Sequence, residues 1–180
     1  MKKFLFFILL ALLVFITACE HSTVRSSTKC SVYDKDGYKY ICKRDGDFWY
    51  WEYYGPNNKK IANIKYFDNG PDYYSDGIRR IVGRIVDRKK RYGYITNKNK
   101  IILKPTYEFA WQFSNGYGRV CKDVTFEKMG EHTAVNCGKV GLVNKQGKLV
   151  LPVKYNSINV KDKNSAEVTI REKKSVVSLN

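Results

Sequence analysis

Histidine is almost missing from this chain: His21 and His132 are the only two in 180 residues. His132 sits beside Glu131 but lacks the serine, cysteine or further ligand that a nucleophilic or metal site needs. No Cys-x-x-Cys pair occurs, so the common zinc spacing is excluded. Asp34, Asp36, Asp45 and Asp47 lack the spaced loop and closing glutamate of a calcium hand, and Asp-Gly hairpin turns account for them. Acids are also scarce, 17 against 33 bases, giving a formal charge of +16. No motif of a nucleic-acid reader accompanies that charge. These absences point to a protein that is not an enzyme and has no metal, no cofactor and no nucleic-acid partner.

The longest apolar run, Phe4 to Ile16, is short of the roughly 20 residues of a membrane-spanning helix. It follows Lys2 and Lys3 and precedes small residues, the pattern of an export signal. Ile16-Thr17-Ala18-Cys19 resembles the lipobox of bacterial lipoproteins, in which the cysteine is lipidated and becomes the first mature residue. That resemblance implies a signal peptide over 1–18, acyl chains such as palmitate on Cys19, and a membrane anchor. Polar residues 20–29 read as a flexible tether. Glu20 is not the aspartate associated with inner-membrane retention, so an outer-membrane, periplasm-facing location is expected.

What is abundant is internal repetition. Tyr92 to Tyr107 reads YGYITNKNKIILKPTY, and Val140 to Tyr155 reads VGLVNKQGKLVLPVKY. With Gly93 set on Gly141, each copy gives an apolar strand, a polar turn, and a strand closing on proline and tyrosine. A leading strand precedes each: Ser75-Asp-Gly-Ile-Arg-Arg-Ile81 and Ser114-Asn-Gly-Tyr-Gly-Arg-Val120. Asn164-Ser-Ala-Glu-Val168 is a fainter echo. Repeated supersecondary units stack into an array. The pattern resembles the WG repeat family, with Tyr92 and Val140 at the tryptophan position and one proline, not two, in each close. The resemblance implies an all-β fold of antiparallel hairpin repeats over 73–180, ending in a terminal half-repeat that keeps only its leading strand. The family is defined by its repeats rather than by one activity.

Residues 30–72 are expected to form two further hairpins. Cys30 and Cys42 flank a hairpin with loop Lys35-Asp36-Gly37, which places Val32 opposite Tyr40. Cys121 and Cys137 flank a second, with loop Lys128-Met129-Gly130 and Thr125 opposite Thr133. Bridges Cys30–Cys42 and Cys121–Cys137 are expected, although spacing alone leaves connectivity open. The glycine strands are farther apart than the leading strands, so the segment around 121–137 lengthens one hairpin. It is either a projecting binding element or an idle insertion.

In Phe48 to Tyr54, alternation sends Trp49, Trp51 and Tyr53 to one face, expected to be core, and Tyr50 and Tyr54 to the other. Those two tyrosines are either packed or form a platform for a sugar or peptide. Arg79, Arg80, Arg84, Arg88, Lys89, Lys90 and Arg91 are the densest positive stretch: a site for anionic glycan or lipid, or a solvated turn. The expected function is a non-catalytic envelope lipoprotein that binds a protein or cell-envelope partner through its repeat surfaces. The alternative is a small protective lipoprotein, an inhibitor or immunity factor against a toxin or lytic enzyme.

Overall fold

The structure, a computed structural model, describes residues 31–34, 36–86, 89–130 and 132–179. The expected signal segment, Cys19, the tether with His21, Cys30 and Arg88 lie outside the described residues.

The described chain is all β. Its strands are β1 (Ser31–Tyr33), β2 (Lys39–Asp45), β3 (Phe48–Tyr54), β4 (Lys60–Phe67), β5 (Gly70–Pro71), β6 (Ile78–Val86), β7 (Lys89–Thr96) and β8 (Ile101–Tyr107). These eight form one sheet in the order β1-β2-β3-β4-β6-β7-β8, with β5 on β4. Then follow β9 (Phe109–Ala110), β10 (Tyr117–Met129), β11 (His132–Asn144) and β12 (Leu149–Tyr155), in a sheet ordered β12-β11-β10-β9. A third sheet holds β13 (Ser157–Val160), β14 (Ser165–Ile170) and β15 (Lys173–Ser178). Every pairing among the described residues is antiparallel.

The two copies have the same backbone pairing. Tyr92 faces Tyr107, Tyr94 faces Leu103 and Ile95 faces Ile101. In the second copy Val140 faces Tyr155, Leu142 faces Leu151 and Val143 faces Leu149, with irregularities at the matching places. The irregularity explains the glycine. A β-carbon on Gly93 would overlap the Leu103 carbonyl oxygen and lie 2.8 Å from the Pro105 nitrogen. One on Gly141 would lie 2.6 Å from Val153 Cγ2 and 3.0 Å from the Leu151 oxygen. In the first copy the bulged, proline-bearing strand presses its backbone against the glycine, and only a residue without a β-carbon permits that approach; in the second the tightest neighbour is the Val153 side chain.

Each polar turn docks on the unit before it. Asn99, at φ 61°, accepts from the Tyr53 hydroxyl at 3.0 Å and donates to the Tyr38 oxygen at 3.1 Å. The equivalent residue of the second copy, Gly147, lies against the Ile102 carbonyl of β8. The leading-strand turns touch as well: Ser75 Oγ donates to the Phe113 carbonyl at 2.7 Å, and the Gly116 N–H donates to Asp76 at 2.7 Å. Between the units, Tyr94 stands edge-on to Phe113 and donates its hydroxyl proton to the carbonyls of Trp111 and Arg119. Hydrophobic side chains therefore alternate with hydrogen-bonded turns along the array.

The N-terminal hairpins follow the expected register, with Val32 opposite Tyr40 and Gly37 at φ 78°. Trp51 and Tyr53 are core residues, but Trp49 is 47 % exposed. It lies opposite Arg44 near the β2–β3 turn, beyond the buried part of the sheet, with the Arg44 guanidinium over its ring at 5.5 Å and Tyr66 tilted against it at 6.2 Å. The C-terminal unit is also more complete than expected. It is a three-stranded sheet that buries Ile158, Ala166, Val168 and Leu179 against Val140, Leu142, Leu151 and Tyr155 of the second copy.

Gly93→Ala is expected to destabilise the chain by more than about 3 kcal/mol, because a backbone contact must be pushed apart. Gly116→Ala, which has open space around its β-carbon and only a positive φ to strain, should lose about 1 kcal/mol. Urea unfolding of the two variants checks the ordering; equal losses would refute the backbone-contact account.

Candidate functional site

The long hairpin is built by β10 and β11, and Cys121 and Cys137 are bridged, as expected. The register is not the expected one. Cys121 faces Val140 and Cys137 faces Val124, Thr125 faces Asn136, and Met129 faces His132 across a two-residue turn that begins at Gly130. The ladder is interrupted at Asp123, which takes φ 58°. In a regular strand residues three apart point to opposite faces. The left-handed residue resets that alternation and brings the two cysteines together, with their Cα atoms 5.9 Å apart. At the same level the Val124 N–H donates to Glu108 at 2.9 Å, which ties the hairpin base to the first unit. Beyond Val124 the strand is exposed, with Phe126 at 49 % and Met129 at 63 %.

Below the hairpin, between β11 and β13, lies a cavity of about 270 Å³ bordered by Trp111, Arg119, Val135, Asn136, Asn156 and Ser157. Val135 pairs with Phe126, so an apolar pair stands on the same hairpin face above it. Arg119 also lines a smaller neighbouring cavity of about 110 Å³ with Gln112, Tyr117 and Asn159. Its guanidinium lies 4.9 Å from the Trp111 ring centre and donates to the Ile158 carbonyl at 3.4 Å.

Comparison of the two units shows what is special here. Asp72 precedes Ser75 by the same step as Trp111 precedes Ser114, and Arg80 follows as Arg119 does. In the first unit the arginine is buried and closed by Asp72 through bonds of 2.8 and 2.5 Å, with Gln112 also donating to the carboxylate. In the second unit an aromatic ring replaces the acid, and the arginine is exposed with no carboxylate partner among the described residues. Neither Trp111 nor Arg119 was singled out from the sequence. The signal was present in the misfit of Asp72 to Trp111 when the two serines are aligned.

The expected basic patch does not form. Arg79 is 3 %, Arg80 5 % and Lys90 5 % exposed. β6 is a central strand covered on both faces, so alternation sends neighbouring arginines into two different cores. Arg79 lies within 5.3 Å of the rings of Tyr40, Tyr53 and Tyr74 and donates to the Tyr40 hydroxyl at 3.1 Å. Lys89 and Arg91 meet Glu108 at 2.9 and 3.4 Å. The Val124 N–H and these two cations hold the Glu108 carboxyl below its ordinary range. Arg84 is exposed. Of the two readings of the tyrosine pair the contacts are those of packing: Tyr50 is half-buried under the Lys90 ammonium at 4.6 Å, and Tyr54 donates to Glu52 at 3.0 Å. Arg84, Lys90 and Tyr50 do meet, however, around a separate cavity of about 250 Å³ that Asp45 and Asn63 complete.

Among the described residues no group of three or more acids, cysteines and histidines could hold a metal ion. The family model of the WG containing repeat matches residues 92–123 and 141–163, which span β7 to the start of β10 and the second half of β11 to β13. No curated protein and no solved structure matches the chain.

The Cys121–Cys137 bridge closes a loop with a sequence separation of 16 and should contribute about 3 kcal/mol, most of it to the hairpin. Its reduction is expected to speed amide exchange over 125–134 while β7 stays protected; unchanged exchange would mean the ladder alone holds the hairpin. Burial pushes Lys90 down to about 8 from its ordinary 10.5, against a weak pull upward from Asp45. Burial and the Arg80 charge push Lys65 to about 8 as well. Between those values the folded chain has released protons that the unfolded chain still holds, so stability rises as pH increases from about 8 toward 10. Lys90→Met should flatten that rise, and an unaltered slope in urea unfolding at pH 7 and 9.5 would contradict the assignment.

Proposed function

We propose, for a chain that is a WG repeat-containing β protein, that it is a non-catalytic binding module carried on a bacterial envelope lipoprotein, and that it holds a protein partner in the groove below its long hairpin. The observation that carries the reading is the exchange of Asp72 for Trp111 between otherwise equivalent units. It leaves Arg119 charged, exposed and stacked on an indole, beside an apolar hairpin face and the amides of Asn136 and Asn156. Aromatic residues and arginine are the side chains that dominate binding energy at interfaces. The matching partner is a segment with a carboxylate for Arg119 and an apolar side chain for Trp111 and Val135.

The hairpin supplies the wall of that groove, and the disulfide and Glu108 hold its base in place before binding, which limits the entropy lost on association. Lipidation at Cys19, followed by the tether, would present the groove from the outer membrane toward the periplasm. An inhibitor or immunity role is the same geometry with a toxin or lytic enzyme as the partner.

A photo-crosslinking amino acid at position 135, with a control at Val176 on β15, tests the reading in envelope extract. A discrete protein species should crosslink at 135 and not at 176, and Arg119→Glu should weaken its capture by tenfold or more, about 1.4 kcal/mol. Crosslinking that is equal at both positions, or indifferent to Arg119→Glu, would sink it. The identity of the captured species separates an enzyme target from a structural partner.

A further inference from the structure

The second cavity lies at the other end of the first unit. Between Val82 and Ile85 the pairing of β6 with β7 slips, and Gly83 and Arg84 form a bulge there. Gly83 is pressed against Pro105, whose β-carbon would lie 2.6 Å from a β-carbon on the glycine. Bulges of this kind re-aim side chains and open space beside a sheet. The space opened is about 250 Å³.

Two buried polar atoms beside it are unsatisfied. Among the described residues Lys90 Nζ has no hydrogen-bond partner, and neither has Asn63 Oδ1. The rings of Phe48 and Tyr50, 5.2 and 4.6 Å from the ammonium, offset part of its lost hydration but accept none of its protons conventionally. Buried polar groups in folded proteins are almost always paired, and a charged one left alone is more costly still.

We propose that this cavity is a binding site for a small hydroxycarboxylate, the chemistry shared by hydroxy acids and sugar acids. The carboxylate accepts from Lys90, and Arg84 at the exposed rim adds a second cation. The adjacent hydroxyl donates to Asn63 Oδ1, which a bare carboxylate cannot do. Asp45 on the wall offsets one of the two cations, so the site suits a single negative charge better than a dianion. Tyr50 and Val82 on the wall give the carbon skeleton of such a ligand an apolar contact. The site is independent of the Trp111–Arg119 groove and shares no residue with it.

Calorimetric titration of the full chain at pH 7 with glucuronate, lactate, glucose, acetate and inorganic phosphate tests the proposal. Glucuronate or lactate should bind, with glucose, acetate and phosphate each at least about tenfold weaker. Which of the first two binds tighter separates a sugar acid from a small hydroxy acid. Lys90→Met keeps the stem over Phe48 and Tyr50, and should weaken the favoured ligand by about tenfold or more with an unchanged far-ultraviolet spectrum. Absence of binding by both hydroxycarboxylates to the unmodified chain overturns the proposal without recourse to any variant. So does equal binding of acetate or phosphate, or undiminished binding by a folded Lys90→Met protein.

Discussion

Backbone pressed on backbone is the constraint on which each unit depends. At Gly93 the bulged strand carrying Pro105 brings its backbone so close that no β-carbon fits, and at Gly141 the strand carrying Pro152 brings Val153 Cγ2 to 2.6 Å and its backbone to 3.0 Å of where one would lie. That contact goes with the shared register of both copies, in which each closing tyrosine lies opposite the residue before the glycine, and with a polar turn aimed back at the preceding unit. The turn then makes its own contact, through the Asn99 amide in one copy and through Gly147 in the other. A repeat so defined is a rigid frame in which the side chains at other positions are free to differ.

The differences carry the chemistry. The frame places an arginine on each leading strand and a partner position shortly before the serine turn. Filled by Asp72, that position closes a buried ion pair, in which loss of either partner would strand the other charge in the core. Filled by Trp111, it leaves a cation at a groove. The neighbouring Arg79 serves a third purpose, sitting among three tyrosines from the N-terminal hairpins and the loop before β6, so that residues outside the repeat pattern are joined to it.

Local features were legible in the sequence: the glycine strands and the turns at Gly37, Asn99 and Gly147 follow from spacing and left-handed backbone preference, and the Cys121–Cys137 bridge is the one expected, although spacing alone left its connectivity open. The register of the long hairpin was not legible, because Met129 pairs with His132 and so belongs to the ladder rather than to a Lys128-Met129-Gly130 loop, while the pairing stays the same on both sides of Asp123. The burial of Arg79, Arg80 and Lys90 was hidden for a different reason. Charge suggests exposure, but a central strand with both faces covered buries whatever it carries, and here the compensation came from distant residues: Tyr40, Tyr53, Asp72 and Tyr50. Trp111 stands out in the sequence as the misfit to Asp72 once the two serines are aligned, but the groove beside Arg119 is formed by β11 and β13, which only the fold brings there.

The bridge at the hairpin base has one more consequence, for a chain that meets proteases. Lys128 and Met129 are exposed at the far end of the hairpin, where a trypsin-like enzyme finds its preferred side chain. A cut there falls between Cys121 and Cys137, so the two fragments stay covalently joined. The groove lies on the near side of the cut, with Val135, Asn136 and Arg119 all retained. Such a nicked molecule would run as an intact chain until reduced, and it would separate into its halves only in a thiol-rich compartment.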